Sequence, residues 1–207
     1  MRIKNVIFDV GDVLIEYRWK QMLMDYGLSE EEAIRVGGEL FENPEQLWSE
    51  FDKGLYTQEE IICAYEKRYP KDAKAIRYFI SHGEYMHVPR PKIWELLHQL
   101  KEAGAKVYLL SNYPEELFHK HLQYADFMND IDGKMVSYMI KKAKPDEAIY
   151  YALCDNYGLK MEECIFFDDR EENIATAKRL GMSGKQVTSK EMLQEELIKL
   201  IDEFKRR

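Results

Sequence analysis

The sequence predicts an α/β fold, in which a mostly parallel β-sheet is covered by helices on both faces and interrupted by a long helical segment. Two observations support this prediction. Short apolar runs typical of buried strands alternate along the chain with helical patterns. One stretch, from about residue 16 to residue 87, carries helical patterns only. Strands that alternate with helices form mostly parallel sheets with helices on both faces.

Three short apolar runs predict buried strands. They lie at residues 6–8 (V-I-F), 105–110 (A-K-V-Y-L-L) and 164–167 (C-I-F-F). β-branched and aromatic residues are frequent in these runs, and each run ends at polar residues, as buried strands do. Residues 136–138 and 185–187 are weaker strand candidates.

Helical periodicity fills the intervals between these runs. Residues 91–103 place their apolar side chains on one face, and Gly104 follows as a stop signal. Residues 146–157 form a second amphipathic pattern. From Leu193 to Phe204 an apolar stripe runs along an otherwise charged segment, which predicts a final helix.

The stretch from residue 16 to residue 87 is too long to be a simple connection between two strands. Connections between strands and helices typically have about 2–6 residues, whereas turn signals such as Gly27 and Gly54 divide this stretch into several pieces. We predict an all-helical insertion of about four helices at 16–87, and an α/β core made of residues 1–15 and 88–207.

Composition excludes several classes of protein. The chain has 207 residues, of which 45% are hydrophobic and 33% charged, the balance of an ordinary globular protein. Its formal net charge of −8 argues against general nucleic-acid binding. No apolar run approaches the ~20 residues that span a bilayer, and a strand begins too early to leave room for a signal peptide. We therefore expect a cytoplasmic protein without membrane or nucleic-acid partners, present as a monomer or homodimer.

Polar side chains follow all three strong strand candidates. Asp9 follows the first, Ser111 and Asn112 the second, and Asp168 and Asp169 the third. Because ligands of open α/β sheets bind at the carboxyl ends of the strands, we expect these side chains to converge. Clustered carboxylates repel one another unless a cation neutralises them, and ligands that are all oxygen favour Mg²⁺.

Four motifs in these regions resemble those of the haloacid-dehalogenase-like (HAD-like) hydrolases. They are I-F-D-V-G-D-V-L at 7–14, L-L-S-N at 109–112, K-P-D-E-A-I-Y at 144–150 and F-F-D-D-R-E-E-N at 166–173. They occur in the family order, and the resemblance covers essentially the whole chain. It implies a Rossmann-like core, and the segment 16–87 falls where the family carries a C1-type cap. Among subgroups, the motifs look most like bacterial phosphatases that act on sugar phosphates such as glucose 1-phosphate.

The resemblance also implies roles for the residues that match. Asp9 would attack phosphorus and form an aspartyl-phosphate that water then hydrolyses. Mg²⁺ would be held by the Asp9 carboxylate, the Gly11 carbonyl oxygen and Asp169. Asp168 and Asn173 would lie at or near the metal.

The remaining matching residues would bind the phosphate. Ser111 and the backbone of Asn112 would hydrogen-bond the phosphoryl oxygens. Lys144 would place a positive charge on the phosphate and on Asp9.

Position 11 departs from the family pattern. Where the family carries a second aspartate that protonates the leaving oxygen and activates water, this sequence has Gly11. Acid–base catalysis of this kind typically contributes about 10²–10⁴-fold. Asp12 is the nearest substitute. An aspartate introduced at position 11 would be strained if Gly11 had a positive φ.

We therefore predict an enzyme, an Mg²⁺-dependent phosphomonoester hydrolase of a small phosphorylated metabolite, with a sugar phosphate as the favoured substrate. A 2-haloacid dehalogenase is the first alternative, although that chemistry needs no metal. A catalytically weak or silent protein that binds a phosphorylated ligand is the second, since Gly11 lacks the acid–base group.

Overall fold

The fold is described for residues 2–206 in a computed structural model. Five parallel strands form one sheet in the order β5-β4-β1-β6-β7, and two short strands pair separately. The strands are β1 (Asn5–Phe8), β2 (Ile15–Tyr17), β3 (His87–Pro89), β4 (Lys106–Ser111), β5 (Gly133–Val136), β6 (Cys164–Asp168) and β7 (Ser183–Gln186). The predicted α/β fold with a parallel, Rossmann-like sheet is confirmed.

Strand register determines where the functional side chains can lie. β1 is the central strand, and Phe8 pairs in register with Leu109 of β4 and with Phe167 of β6. Since all three strands are parallel, the residues that follow these partners emerge at the same edge of the sheet. Asp9 and Asp168 are such residues.

The helices that follow β3 cover both faces of the sheet. They are α6 (Pro91–Glu102), α7 (Glu115–Leu122), α8 (Ser137–Ile140), α9 (Glu147–Tyr157), α10 (Glu171–Arg179) and α11 (Lys190–Lys205). Alternate residues of β1 point to opposite faces. Val6 and Phe8 belong to the apolar core beneath α6 and α11, whereas Ile7 belongs to the core beneath α9 and α10.

Between β2 and β3 the chain forms five α-helices rather than about four. They are α1 (Trp19–Tyr26), α2 (Glu30–Phe41), α3 (Leu47–Asp52), α4 (Gln58–Arg68) and α5 (Ala73–Ser81). α2 and α4 each begin with a capping box, formed by Ser29 with Glu32 and by Thr57 with Glu60.

The prediction that residues 16–87 contain no strand is wrong at both ends of this segment. β2 and β3 pair antiparallel, with Ile15 opposite Pro89 and Tyr17 opposite His87. Strands of three residues are too short to produce a periodic pattern, so the sequence did not reveal them. Because β2 leads into the helical segment and β3 leads out of it, their pairing holds the two connections side by side. It also holds Tyr17 beside Gly11, in the turn after β1.

The two weaker strand candidates are displaced in the structure. The strand predicted at 136–138 is β5, which ends at Val136, and Ser137 begins α8. Ser137 leaves the sheet because its hydroxyl accepts a hydrogen bond from Tyr113 N (2.9 Å) and donates one to Asp52 O. The strand predicted at 185–187 is β7, which ends at Gln186. Within residues 2–206, no helix combines the length and apolar character needed to cross a membrane.

Candidate active site

Asp9 lies directly after β1, at the carboxyl edge of the sheet. Its side chain is almost buried, and three polar groups contact the same oxygen. Oδ1 accepts hydrogen bonds from Val10 N (2.7 Å) and Ser111 Oγ (2.6 Å), and it lies 3.0 Å from Lys144 Nζ. The strand ends of β1 and β4 and the loop before α9 therefore meet at one carboxylate.

The Lys144 ammonium joins the two acidic strand ends. Its side chain is 1% exposed, and Nζ lies 2.6 Å from Asp168 Oδ2 and donates to Leu110 O at 2.8 Å. Burial alone would lower the pKa of Lys144, but the charges of Asp168 and Asp9 outweigh burial and leave its pKa raised. The raised pKa favours the protonated ammonium form of the side chain at neutral pH.

Asp168 is fully buried and is saturated by protein donors. Oδ1 accepts from Arg170 N (2.8 Å) and Asn173 Nδ2 (2.9 Å), while Oδ2 is paired with Lys144. These contacts indicate that Asp168 orients Lys144.

The carboxylates at this edge are electrostatically strained. Oxygens of Asp9, Asp168 and Asp169 lie within 4.8 Å of one another. Burial raises the pKa of Asp9 to about 7, and Asp168 and Asp169 add to the rise while Lys144 opposes it. Burial and then the charge of Asp168 raise the pKa of Asp169 to about 6. Lys144 alone therefore does not neutralise the three carboxylates. A further cation at this edge would stabilise the ionised forms of Asp9 and Asp169.

The donor set at this site suits Mg²⁺. All available side-chain ligands are oxygens, which hard cations prefer. Within the described residues, the buried Oδ1 of Asn173 has no hydrogen-bond partner. A water bound to a metal ion at Asp9 and Asp169 is the kind of donor that such an oxygen needs.

Asn112 plays a part that the sequence did not indicate. Its side chain forms two hydrogen bonds with the backbone of Lys144, from Nδ2 to Lys144 O (2.9 Å) and from Lys144 N to Oδ1 (2.8 Å). The loop that carries Lys144 is thereby fixed to the end of β4. Only the backbone of Asn112 remains for the phosphate contact predicted from the sequence.

The turn after Asp9 is shaped by Gly11, Asp12 and Tyr17. Gly11 lies outside the positive-φ region, so the condition under which an aspartate there would strain the backbone is not met, whereas Asp12 has φ of 53°. Asp12 Oδ1 accepts a hydrogen bond from Tyr17 N (3.2 Å) and stabilises the turn. A Cβ atom at Gly11 would lie 2.5 Å from Tyr17 Cε2 and 2.7 Å from its hydroxyl oxygen. Glycine is therefore required here by the Tyr17 ring.

A cavity of about 1300 Å³ opens above Asp9, between the carboxyl edge of the sheet and helices α1–α3. Trp19, Phe41 and Trp48 line one wall and pack edge to face. Asp52, at the end of α3, also faces the cavity, and burial together with the charge of Asp9 raises its pKa well above the usual value. Sequence reasoning missed these residues because nothing local distinguishes pocket-facing residues of a helix from those facing its own core.

Comparisons with known proteins identify the family of this chain. The family model of the haloacid dehalogenase-like hydrolases matches residues 3–181, so the chain belongs to that family and is a hydrolase. It is 24% identical over 185 residues to a sesquiterpene phosphatase of Aspergillus oryzae, covering 89% of this chain and 90% of that protein. It is 27% identical over 199 residues to a drimenol cyclase of Aspergillus calidoustus, but the match spans only 36% of that longer protein.

The fold also matches solved structures. A HAD family enzyme of Bacteroides thetaiotaomicron, solved in complex with magnesium and inorganic phosphate, superimposes with a TM-score of 0.72 at 24% sequence identity. The match covers 91% of this chain and 96% of that one. At this identity the likeness establishes the fold.

Contact between Gly11 and Tyr17 generates a testable prediction. Gly11→Ala should lower the free energy of unfolding by about 1–3 kcal/mol, because its methyl group forces the Tyr17 ring to move. Gly38→Ala is the matched control, since Gly38 lines the same cavity and its Cβ would meet no atom within 4 Å. Urea unfolding of both variants measures the difference, and equal stabilities would contradict the close contact.

Proposed function

We propose that this HAD-like hydrolase cleaves phosphomonoesters of small metabolites, with Asp9 as the nucleophile and Mg²⁺ as the cofactor. The observation that carries the proposal is the position of Asp9. Its carboxylate is held by Ser111 and Lys144, beside Asp169, at the floor of a cavity large enough for a metabolite. The similarity to a sesquiterpene phosphatase supports the same reaction.

The contacts of Asp9 suggest which of its oxygens reacts. Val10 N, Ser111 Oγ and Lys144 Nζ all contact Oδ1. We assign Oδ2 to the attack on phosphorus. A bond then forms between Oδ2 and phosphorus, the bond to the ester oxygen breaks with its electron pair left on that oxygen, and the resulting alkoxide takes a proton from solvent water. Lys144 remains charged throughout and stabilises the anionic transition state.

We assign the metal to Asp9, the Gly11 carbonyl oxygen and Asp169. When bound there, Mg²⁺ would neutralise the phosphate and hold it in line with Asp9. Asp168 was predicted with these ligands, but both its oxygens already accept hydrogen bonds from the protein. We therefore assign it to the positioning of Lys144. The magnesium of the Bacteroides enzyme supports this choice of cofactor.

Ser111, the Asn112 backbone and Lys144 would contact the phosphoryl oxygens. All three lie at the end of β4 or are tied to it by the Asn112 side chain. Binding at this edge matches the rule that ligands of open α/β sheets lie beyond the carboxyl ends of the strands.

We further propose that residues 16–87 act as a C1-type cap over the core of residues 1–15 and 88–207, and select the substrate. A sugar phosphate remains the substrate favoured by the sequence, and Gln46 and Ser49 of the cavity wall suit its hydroxyl groups. The aromatic wall favours a second class, phosphate esters with an apolar or planar organic group. Such a class is consistent with the sesquiterpene phosphatase relative.

The alternatives predict different activities. A 2-haloacid dehalogenase would act without metal, and a silent binding protein would turn over no phosphate ester. A panel of sugar phosphates, nucleotides, a prenyl phosphate, p-nitrophenyl phosphate and a 2-haloacid, each with and without Mg²⁺, separates the three. Our proposal expects turnover of phosphate esters only, and only with Mg²⁺.

Asp9→Asn should abolish turnover and leave the fold intact, because the amide keeps the shape of the side chain but cannot attack phosphorus. Single-turnover assays and a thermal melt measure the two properties. More than a few per cent of wild-type activity in a folded variant would contradict the aspartyl-phosphate mechanism.

The two neighbouring aspartates should differ in their effect on Mg²⁺. Asp169→Ala should raise the Mg²⁺ concentration needed for half-maximal activity more than Asp168→Ala does, since loss of a direct ligand exceeds the roughly 10–100-fold effect of an outer partner. Asp168→Ala should instead cost about 3–5 kcal/mol of stability, because Lys144 loses a buried counter-charge. Activity that persists in excess chelator would refute the metal assignment, and equal shifts in Mg²⁺ dependence would refute the ranking.

A further inference from the structure

Helix α2 has two apolar faces. The first is buried in the core and consists of Ala33, Val36, Gly37 and Leu40. The second consists of Ile34, Gly38 and Phe41, which lie on one side of the helix at spacings of four and three residues and line the cavity above Asp9. A helix that packs on a core along one side usually presents polar residues elsewhere. Burial in the core therefore does not explain the second face, which we call the apolar face of α2.

The two consecutive glycines of α2 have different surroundings. Glycine inside a helix is less stable than alanine, so its presence needs a structural reason. At Gly37 that reason lies in the protein, because a Cβ there would lie 2.3 Å from Trp19 Cζ3. At Gly38 a Cβ would meet no atom of residues 2–206 within 4 Å, and the residue lines the cavity. The space beside Gly38 is therefore available to a bound molecule.

Two tryptophan rings continue the apolar face across the cavity wall. Trp19 and Trp48 both pack against Phe41, with ring centroids 5.7 and 4.9 Å from it and interplanar angles of 69° and 74°. Rings crossed at such angles do not form a slot with parallel faces, in which a flat ring system would stack. They suit a flexible aliphatic chain, because the hydrophobic effect has no preferred direction and the chain can follow the surface.

The apolar face of α2 is long and narrow. From Ile34 to Phe41 the helix rises about 10 Å, at about 1.5 Å per residue. Ile34 is 53% exposed, so this end of the face lies at the opening of the cavity. A chain that begins at a phosphate beside Asp9 can therefore run along α2 towards the solvent.

We propose that the apolar face of α2, together with Trp19 and Trp48, binds the organic group of the substrate, and that this group is a linear aliphatic chain. The inference rests on the proposed function, which places the phosphate at Asp9 in the same cavity. The substrate class is then the phosphate monoesters of long-chain alcohols. Gly38 determines specificity, because its missing side chain leaves the room that the chain occupies.

The test measures kcat/KM for n-alkyl phosphates from ethyl to octyl, with Mg²⁺ present. All are esters of primary alcohols, so the leaving group is nearly constant and only the length of the chain changes. The value of kcat/KM should rise by about two- to fourfold per methylene group, as expected for groups that leave water for an apolar surface. Equal values for ethyl and octyl phosphate in the wild type would overturn the proposal.

Ile34→Ser removes an apolar side chain from this face, and Ile198→Ser is its matched control. Ile198 lies on α11, away from the residues that line the cavity, and its exposure of 50% is close to that of Ile34. Ile34→Ser should lower kcat/KM for octyl phosphate at least about fivefold more than for ethyl phosphate. Ile198→Ser should leave both values at those of the wild type. The same result for octyl phosphate in the two variants contradicts binding along α2.

Gly38→Leu fills the space beside the helix instead of removing a contact. Its side chain would take the place of the aliphatic chain, so the rise of kcat/KM from ethyl to octyl phosphate should be largely lost. A thermal melt establishes that the variant is folded, and Ile34→Ser carries the test if it is not. A folded Gly38→Leu variant with the chain-length dependence of the wild type would show that the chain binds elsewhere.

Binding of n-alkyl phosphonates separates this inference from the proposed function. These compounds have no ester oxygen to release, and the fluorescence of Trp19 and Trp48 reports their binding to the cavity wall. Octylphosphonate should bind with a Kd at least about tenfold below that of ethylphosphonate. If this preference is found but no alkyl phosphate is turned over, the proposed function fails and the apolar site stands. Turnover of ethyl phosphate without the preference overturns the apolar site alone.

Discussion

The site depends on one buried ammonium group placed between two carboxylates. Lys144 Nζ lies 3.0 Å from Asp9 and 2.6 Å from Asp168, in a position almost closed to solvent. Burying any of these charges alone is costly, and a buried ion pair is tolerated only when good geometry and further hydrogen bonds offset its desolvation. Here Ser111, Arg170 and Leu110 supply those bonds. The arrangement still holds more negative than positive charge, so a divalent cation at Asp9 and Asp169 would complete it.

The sheet makes this arrangement possible. Parallel pairing in register brings the ends of β1, β4 and β6 to one edge, although they lie far apart in sequence. Lys144 is not on a strand and must be held separately. The side chain of Asn112 does so, by pairing with both backbone polar groups of Lys144.

The strands of the sheet and the polar residues at their ends could be predicted from the sequence, because both depend on neighbouring residues in the chain. A buried parallel strand leaves an unbroken apolar run, and the polar residue after it marks the edge of the sheet. This rule identifies Asp9, Ser111, Asp168 and Asp169. Lys144 follows no strand, and it is identified only through the K-P-D motif that resembles that of the HAD-like hydrolases. The displaced β5 shows the limit, since the hydroxyl of Ser137 ends that strand through partners distant in sequence.

The residues that could not be predicted owe their roles to contacts between distant segments. Tyr17 and Asp52 line the same cavity as Asp9 because the inserted helices fold back over the sheet. The β2–β3 pair, which joins this segment to the core, has only three residues in each strand and leaves no clear pattern in the sequence. From the sequence, Gly11 is recognised only as the position where the carboxylate of the family motif is missing. The structure gives a second explanation for glycine at this position, because the Tyr17 ring occupies the space that a side chain would need. The spacing of residues in the motif cannot reveal that contact.

A crystal structure with Mg²⁺ and inorganic phosphate bound tests the central claim most directly. We expect the metal to be coordinated by Asp9, Asp169 and the Gly11 carbonyl oxygen, with phosphorus facing Asp9 Oδ2. Lys144 should keep its contacts with Asp9 Oδ1 and Asp168. Phosphate bound away from Asp9, or a metal that displaces Lys144 from Asp168, would contradict the account.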